Sequence, residues 1–191
     1  MTETEPDRES LRETVRETFP KIADIEDYDL RSGTIDAWTL SLSQTGTTDL
    51  EAVPWFPPAQ ARIDRPEERL VDHVRDVVNA ADALASVVAA RGTSISRDLV
   101  LAGALVHDVS KLFEFDGFEE TPIGDLLGHP HYGVYVIGAV DLPVELAHIV
   151  LSHTSRTTVE PATIEAEVVR RADEVVASAI RADAVSDLRD A

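Results

Sequence analysis

The sequence predicts an all-α protein in which a helical bundle follows an irregular, partly helical N-terminal extension. Three observations support this fold class: apolar residues recur at helical spacing through most of the chain after its first third, strand-type alternation is nearly absent, and prolines stand at expected helix starts. With 191 residues and 43% hydrophobic content, the chain can bury one core. We expect an N-terminal extension over residues 1–65 and the main domain over residues 66–191.

The N-terminal extension shows only short stretches of helical periodicity. Residues 8–19 place apolar side chains at helical spacing and predict a short amphipathic helix that Pro20 ends. Residues 24–33 are mostly polar and are predicted to form a loop. Residues 35–44 predict a second short helix, which turns Trp38 inward.

A proline-rich passage over residues 53–68 leads from the extension into the bundle. Its prolines interrupt regular secondary structure, so we interpret the passage either as a linker or as an arm that covers a site. Trp55 and Phe56 are large apolar residues within this passage and are expected to anchor it.

From residue 67 onward the pattern is helical, and most helix starts carry a signal. Ser96 is the expected N-cap of one helix, and His129 that of a later one with Pro130 in its first turn. Pro143 and Pro161 mark two further starts. The predicted helices are residues 68–90, 97–113, 131–140, 144–153 and 162–188.

The charge of the chain is strongly negative: 36 acidic residues against 17 basic ones give a net charge of −19. A field of this sign repels a nucleic-acid backbone, so nucleic acid is not expected as a partner. Only Lys21 and Lys111 are lysines, and this acid-rich, lysine-poor composition resembles that of proteins from salt-loving archaea. The chain lacks cysteine, a long apolar run and a signal-like start, so we expect no disulfide, no membrane partner and a cytoplasmic location.

Several polar residues fall on the apolar faces of the predicted helices. His73 belongs to an apolar stripe, and Asp173 points inward on the last helix. His107 and Asp108 lie near the buried side of their helix, and Lys111 follows them within one helical turn. A lysine kept at this place in a chain with so few of them suggests a chemical requirement.

A metal site would explain this burial of charged and polar groups. A buried carboxylate or imidazole costs several kcal/mol unless it is paired or bound to a metal, and one divalent cation neutralises several such groups. Imidazoles and carboxylates without thiolates suit Fe, Mn, Zn, Co or Ni, and their spacing alone does not name the metal. Ligands from several helices match sites built in the cores of helical bundles.

The order of these residues resembles the HD-domain metal-dependent phosphohydrolase superfamily. The family pattern is a first histidine, an adjacent His-Asp pair and a distal aspartate. In this sequence they would be His73 in LVDHVRDV, His107 and Asp108 in ALVHDVSKL, and Asp173 in RRADEVV. The HDxxK version of the motif is matched through Lys111.

A subset of this family adds two histidines and holds two metal ions. They would be His129 in GHPHYG and His153 in VLSHTSR, and the whole resemblance covers about residues 65–180. It implies that Asp108 bridges from the first ion to a second ion held by these two histidines. The ligands of the first ion would be His73, His107, Asp108 and Asp173.

The resemblance implies hydrolysis of a phosphomonoester or phosphodiester in a small nucleotide-like or cyclic phosphate, with one or two divalent ions per chain. Asp108 and Lys111 would be catalytic, and Lys111 would also bind substrate by placing its charge on a phosphoryl oxygen or by orienting Asp108. Arg156 is a candidate phosphate-binding residue, with a solvated loop arginine as the equal alternative. The expected partner is a small phosphorylated molecule, and a homodimer is left open.

Other functions stay open at this point. A non-catalytic metal-binding or nucleotide-binding regulatory module is one alternative, although degenerate HD domains usually lose ligands and this chain keeps them. A di-iron oxygenase of the same superfamily is another, against which Lys111 favours phosphate chemistry; a nuclease is opposed by the net charge. His131 and His148 are interpreted as structural or supporting residues, and the acidic run over residues 113–128 as a solvated loop rather than a lid.

Overall fold

The all-α prediction is confirmed by a computed structural model, which describes residues 7–182. Within this range the chain forms nine α-helices, three short 3-10 helices and one antiparallel hairpin. The helices are α1 (Arg8–Thr18), α2 (Tyr28–Thr45), α3 (Pro57–Ile63), α4 (Leu70–Ala90), α5 (Arg97–Val106), α6 (Pro122–Leu126), α7 (Gly128–Ala139), α8 (Val144–Ser152) and α9 (Ile164–Ala182). The strands are β1 (Phe115–Asp116) and β2 (Glu119–Glu120). The predicted last helix extends to residue 188, so its end lies outside the described residues.

An apolar core ties the N-terminal helices to the rest of the described chain. Trp38 of α2 is fully buried, packs against the tilted ring of Phe19 at a centroid distance of 4.8 Å and donates its indole N–H to the carbonyl oxygen of Leu105 at 2.9 Å. Helix α4 packs against α5 and α9, and α7 packs against α8. Because α5 also contacts α8 and α9, these five helices enclose a common centre.

The prediction of a loop over residues 24–33 is wrong for its second half, because α2 begins at Tyr28. Asp27 caps this helix, since its side chain accepts two backbone N–H groups of the first turn. The buried face of α2 includes Thr34 and Ser41, whose hydroxyls donate to carbonyl oxygens four residues earlier. Because some residues on the buried face of α2 are polar, its apolar residues alone do not show helical spacing in the sequence.

The proline-rich passage over residues 53–68 is folded against the bundle and contains α3. Gln60 in this helix fixes the passage, because its side-chain oxygen accepts the N–H of Phe56 at 2.9 Å and its amide donates to the carbonyl of Glu68 at 3.0 Å. Trp55 is buried, with 3% of its surface exposed. The passage is therefore held against the bundle by Gln60 and Trp55, while its role as a linker or as an arm over a site stays a prediction.

The single helix predicted over residues 97–113 is wrong, because α5 ends at Val106 and a 3-10 helix covers Val109–Phe113. Ser96 caps α5 as predicted, by accepting a backbone N–H of the first turn. Asp108 lies at the break, with φ −111° and ψ 10°. The His-Asp pair therefore sits where regular α-helical backbone stops.

Two helix starts and one loop also differ from the prediction. Helix α7 begins at Gly128, so His129 lies in its first turn and not at its cap. Helix α9 begins at Ile164 rather than directly after Pro161. The acidic run over residues 113–128 is not one solvated loop, because it forms β1, β2 and α6 and its first residues are buried.

Candidate metal centre

Four histidine rings from different helices meet around one buried carboxylate. His73 lies on α4 and His129 on α7, while His107 and His153 directly follow the last residues of α5 and α8. All four are buried, as is the carboxylate of Asp108. The sequence predicts these residues as ligands, and the structure brings them together.

One oxygen of Asp108 faces the first pair of histidines. Its Oδ2 atom lies 3.4 Å from Nε2 of His73 and 3.3 Å from Nε2 of His107, and the two nitrogens are 3.4 Å apart. Asp173 on α9 approaches the same pair, with Oδ1 3.0 Å from Nε2 of His73 and 3.8 Å from Nε2 of His107. Two carboxylates and two imidazoles thus converge on this half of the cluster.

The other oxygen of Asp108 faces the second pair of histidines. Its Oδ1 atom lies 3.3 Å from Nε2 of His129 and 3.6 Å from Nε2 of His153, and these nitrogens are 3.4 Å apart. Although it is buried, this oxygen makes no hydrogen bond within residues 7–182. The carboxylate is therefore placed between the two imidazole pairs.

The ends of α5 and α8 set the orientation of two of the rings. The last carbonyl groups of a helix lack intrahelical partners, and a nearby donor can satisfy them. Nδ1 of His107 lies 2.7 Å from the carbonyl oxygen of Ala104, and Nδ1 of His153 lies 2.7 Å from that of Val150. Each ring donates through Nδ1, so its Nε2 presents a lone pair to the cluster.

This arrangement fits divalent cations. Two ligand atoms about 2.1 Å from one ion and about 90–110° apart lie about 3.0–3.4 Å from each other, close to the separations in both halves of the cluster. The buried Oδ1 of Asp108, which lacks a donor among the described residues, supplies an acceptor for a cation. The two groups that could each hold an ion are His73, His107 and Asp108, and Asp108, His129 and His153.

Burial and neighbouring charges shift the titration of the cluster. Burial raises the pKa of Asp108, but Lys111 and the neighbouring imidazoles outweigh it and hold that pKa well below its usual range. Burial lowers the pKa of His73, but hydrogen bonds to Asp108 and Asp173 raise it above its usual value. Burial dominates at His129, where the pKa falls to about 4. Near neutral pH Asp108 is therefore anionic and His129 neutral, which are the forms that bind a cation.

Lys111 stands directly beside the cluster. Its Nζ lies 2.8 Å from Oδ2 of Asp108 and over the rings of Trp55 and Phe56, 5.4 Å and 5.6 Å from their centroids. Arg156 also contacts the ring of Phe56, with Cζ 5.5 Å from its centroid. Both cations line a cavity of about 200 Å³ that opens onto the cluster.

Glu114 is a residue of this site that the sequence analysis missed. It is fully buried, its Oε2 lies 3.1 Å from Nδ1 of His129, and its Oε1 lies 2.7 Å from Nη1 of Arg156. Nη1 of Arg156 also lies 3.1 Å from this Nδ1, but an ionised carboxylate can only accept, so the ring donates Nδ1–H to Glu114 and turns its Nε2 toward the cluster. In the sequence, Glu114 is distinguished from the other acids of its run by its place three residues after Lys111 and by its position between Phe113 and Phe115.

Arg181 is a second residue that was missed, although the sequence carries a signal for it. Asp173, Ala177 and Arg181 recur every four residues along α9, and all three line the cavity. His131 and His148 lie outside the cluster, as predicted, and their rings bond to backbone groups.

A carboxylate shared by two imidazole pairs, with a lysine beside it, defines a histidine–aspartate site suited to divalent ions. The family model described as HD domain matches residues 70–178, and the chain belongs to this family. The resemblance inferred from the sequence is thereby confirmed.

Several curated relatives match part of the chain, among them the following two. It is 32% identical over 116 residues, 58% of its length, to a protein of Methanocaldococcus jannaschii named dihydroneopterin 2',3'-cyclic phosphate phosphodiesterase. It is 31% identical over 129 residues, 60% of its length, to a protein of Bacillus velezensis named 3'-5' exoribonuclease YhaM. The matches cover 47% and 40% of these proteins, so the chain spans less than half of either.

The search of solved structures gave no match. Among the described helices, none combines the length and apolar character that crossing a membrane requires.

Proposed function

We propose that this protein is a metal-dependent phosphohydrolase that cleaves a phosphoester bond in a small molecule. The observation that supports it most is the carboxylate of Asp108, whose oxygens face separate imidazole pairs while Lys111 lies 2.8 Å from one of them. Membership of the HD domain family and the names of the two relatives, a phosphodiesterase and an exoribonuclease, support phosphoester hydrolysis.

We propose two divalent ions per chain, with Mn or Fe as the first candidates, because imidazole and carboxylate donors suit both metals. The first ion would be held by His73, His107, Asp108 and Asp173, and the second by Asp108, His129 and His153. Two such ions supply an activated hydroxide and neutralise charge on the phosphoryl group.

The remaining site residues would orient the substrate and balance its charge. Lys111 would place its ammonium against a phosphoryl oxygen, since it already lies beside the cluster. Arg156 would bind another oxygen with its planar guanidinium, which contacts Phe56 at the rim of the cavity. Trp55 is buried against the ring of His73, at a centroid distance of 5.2 Å, and would exclude water from that side.

The cavities favour a substrate with a phosphate and a modest organic group. The cavity at the cluster measures about 200 Å³, and a second one of about 420 Å³ shares Trp55 and Lys111 with it. Pockets for drug-sized ligands measure about 300–1,000 Å³, so the organic group would occupy the larger cavity. The name of the archaeal relative makes a 2',3'-cyclic phosphate the first substrate class to test. The net charge of −19 disfavours a long nucleic acid.

The first experiment is elemental analysis of wild type and Asp108→Asn, both purified in molar KCl. We expect about two ions per chain in wild type and none in the variant, because an amide cannot replace a bridging carboxylate. Asp116→Asn changes an exposed acid beside the larger cavity and should keep both ions. A single ion in wild type would remove His129 and His153 from the ligand set. No bound ion, even after reconstitution with metal, would contradict the proposal that the protein is a metal-dependent enzyme.

Hydrolysis assays on the metal-loaded wild type then separate the functions. The substrates are a 2',3'-cyclic nucleotide, a simple phosphomonoester and a short RNA. We expect turnover of the cyclic phosphate that is lost in Asp108→Asn. RNA as the best substrate would favour a nuclease, whereas bound metal without any hydrolysis would favour the regulatory module.

A further inference from the structure

Glu114 is a buried carboxylate that belongs to neither group of predicted ligands. It directly follows the 3-10 helix Val109–Phe113 and has none of its surface exposed. An unpaired carboxylate at such a position would cost several kcal/mol, so its partners account for its presence there.

Both oxygens of Glu114 are used, and they reach two different parts of the site. Oε2 lies 3.1 Å from Nδ1 of His129, on the side of the ring opposite the cluster. Oε1 accepts the backbone N–H of His129 at 3.3 Å and the guanidinium of Arg156 at 2.7 Å, and Nη1 of that guanidinium also lies 3.1 Å from Nδ1 of His129. One side chain therefore fixes the ring and backbone of a predicted ligand together with the predicted phosphate-binding arginine.

The backbone around this contact is shaped for close approach. Gly128 has a φ of 67°, a conformation that side chains other than glycine's rarely adopt. A Cβ added to it would lie 3.6 Å from Nη2 of Arg156 and 3.7 Å from Oε1 of Glu114. These are ordinary contact distances, so the left-handed backbone at the start of α7, and not lack of space, calls for glycine beside the carboxylate and the guanidinium.

His129 differs from two other rings of the cluster in the acceptor that it uses. His107 and His153 donate to neutral carbonyl oxygens of their own helices, whereas His129 donates to a carboxylate. A carboxylate behind a ligating imidazole fixes the ring and increases its basicity, and loss of such a partner lowers metal affinity about 10–100-fold.

We propose that Glu114 is a positioning residue that couples the second cation site to the phosphate-binding side of the cavity. It holds His129 toward that cation and holds Arg156 in place before substrate binds. This inference rests on the proposed function, because it assigns a task to Glu114 within the same site.

The test measures Mn²⁺ binding to metal-free protein by calorimetric titration, which does not depend on turnover. In Glu114→Gln we expect one of the two ions to bind about 10–100-fold more weakly and the other to keep its affinity. Glu119→Gln removes an exposed acid from the neighbouring hairpin and should bind both ions as wild type does. Wild-type affinity for both ions in Glu114→Gln would overturn the proposal.

Glu114→Asp separates positioning from a merely structural role. It keeps the negative charge but withdraws the carboxylate by one methylene, so the weakened ion should bind more tightly than in Glu114→Gln and less tightly than in wild type. If Glu114→Gln does not fold, Glu114→Asp decides, because wild-type affinity for both ions would then overturn the proposal.

Binding of inorganic phosphate to the metal-saturated proteins tests the link to Arg156. Arg156→Ala should keep both ions and bind phosphate more weakly, and Glu114→Gln should weaken phosphate binding in the same direction. Both changes remove the same contact between Glu114 and Arg156. The double variant should therefore weaken phosphate binding by less than the product of the two single effects. Multiplicative effects would overturn the coupling. If wild type itself binds no ion, the proposed function fails and not the role of Glu114 alone.

Discussion

Asp108 gives the cluster its geometry, because each of its oxygens faces a different pair of histidines. Whether an imidazole can face a cation depends on where its other nitrogen bonds. For His107 and His153 that partner is a carbonyl oxygen 2.7 Å away at a helix end, and for His129 it is a carboxylate. Residues outside the ligand set therefore orient three of the four rings.

Lys111 is predicted to act on the substrate and not to hold the ions. In Lys111→Met the apolar stem is kept, so packing against Trp55 and Phe56 remains while the charge is lost. We expect kcat/KM to fall about 10²–10³-fold, as for loss of one group that stabilises transition-state charge. The ion content should not change, because an ammonium does not ligate a cation. Steady-state kinetics and elemental analysis check both statements.

Lys21→Met is the matched control, since Lys21 is the other lysine of the sequence. Its ammonium bonds to Asp24 and Asp82 at the surface, so activity should stay at the wild-type level. Loss of ions in Lys111→Met would instead assign the lysine to the support of Asp108.

The ligand types could be predicted because a charged or polar group on an apolar helix face has few physical explanations. His73 and Asp173 are such residues, and the structure brings them within 3.0 Å of each other. Glu114 could not be predicted in this way, because it follows the break after Asp108 and lies on no regular helix whose apolar face would mark it as buried. Its partners, His129 and Arg156, come later in the chain, and only the tertiary fold brings them to it.

At the level of the elements, helix ends and not only helix faces position the ligands. Helices α5 and α8 both stop one residue before a histidine of the cluster. The sequence predicts a continuous helix through His107 because apolar spacing continues to Leu112. Both α-helices and 3-10 helices repeat every three to four residues, so spacing alone could not reveal the break.

Helices α7 and α8 carry the second pair of histidines and approach each other closely at Gly133. A Cβ added there would clash with Cγ1 of Val150 and lie 3.0 Å from Oγ of Ser110. The hydroxyl of Ser110 in turn donates to the carbonyl oxygen of His129 at 2.7 Å. Gly133 therefore allows the contact that brings His129 next to His153.

Gly133→Ala is expected to push α7 away from α8. We expect a loss of about 1–3 kcal/mol in the free energy of unfolding, as for other overpacked cores, and weaker binding of one Mn²⁺ ion. Urea unfolding and metal titration measure the two effects.

Gly138→Ala lies on the same helix, where an added Cβ meets nothing within 4 Å. This control should be neutral or more stable by up to about 1 kcal/mol, through helix propensity. Equal free energies of unfolding for the two variants would show that α7 and α8 can accommodate the added methyl group without loss of stability.

Across the whole molecule, positive charge is concentrated at the site although the chain is strongly acidic. The net charge is −19, yet Lys111, Arg156 and Arg181 line the cavity beside the cluster together with the carboxylates of Asp108 and Asp173. With divalent ions bound to those carboxylates, the three cations would attract a small anion despite the negative surface. The division at residue 65 stays a prediction, while the bond from Trp38 to Leu105 joins the two sides through one core.

The acidic composition predicts a protein whose stability rises with salt concentration. The Debye length falls from about 10 Å at 0.1 M salt to about 3 Å at 1 M, which weakens repulsion among the 36 acidic side chains. We expect Tm, followed by circular dichroism, to rise by about 4–8 °C between about 0.1 and 2 M KCl, corresponding to about 2 kcal/mol.

A charge-reduced variant tests whether repulsion is the cause of this salt dependence. Glu17→Gln, Asp76→Asn and Glu119→Gln together remove three exposed negative charges. At low salt the variant should have a higher Tm than wild type, and its Tm should rise less with KCl, because less repulsion is left to screen. An equal rise in both proteins would assign the salt effect to hydrophobic burial, and a fall would contradict the prediction for this acidic surface.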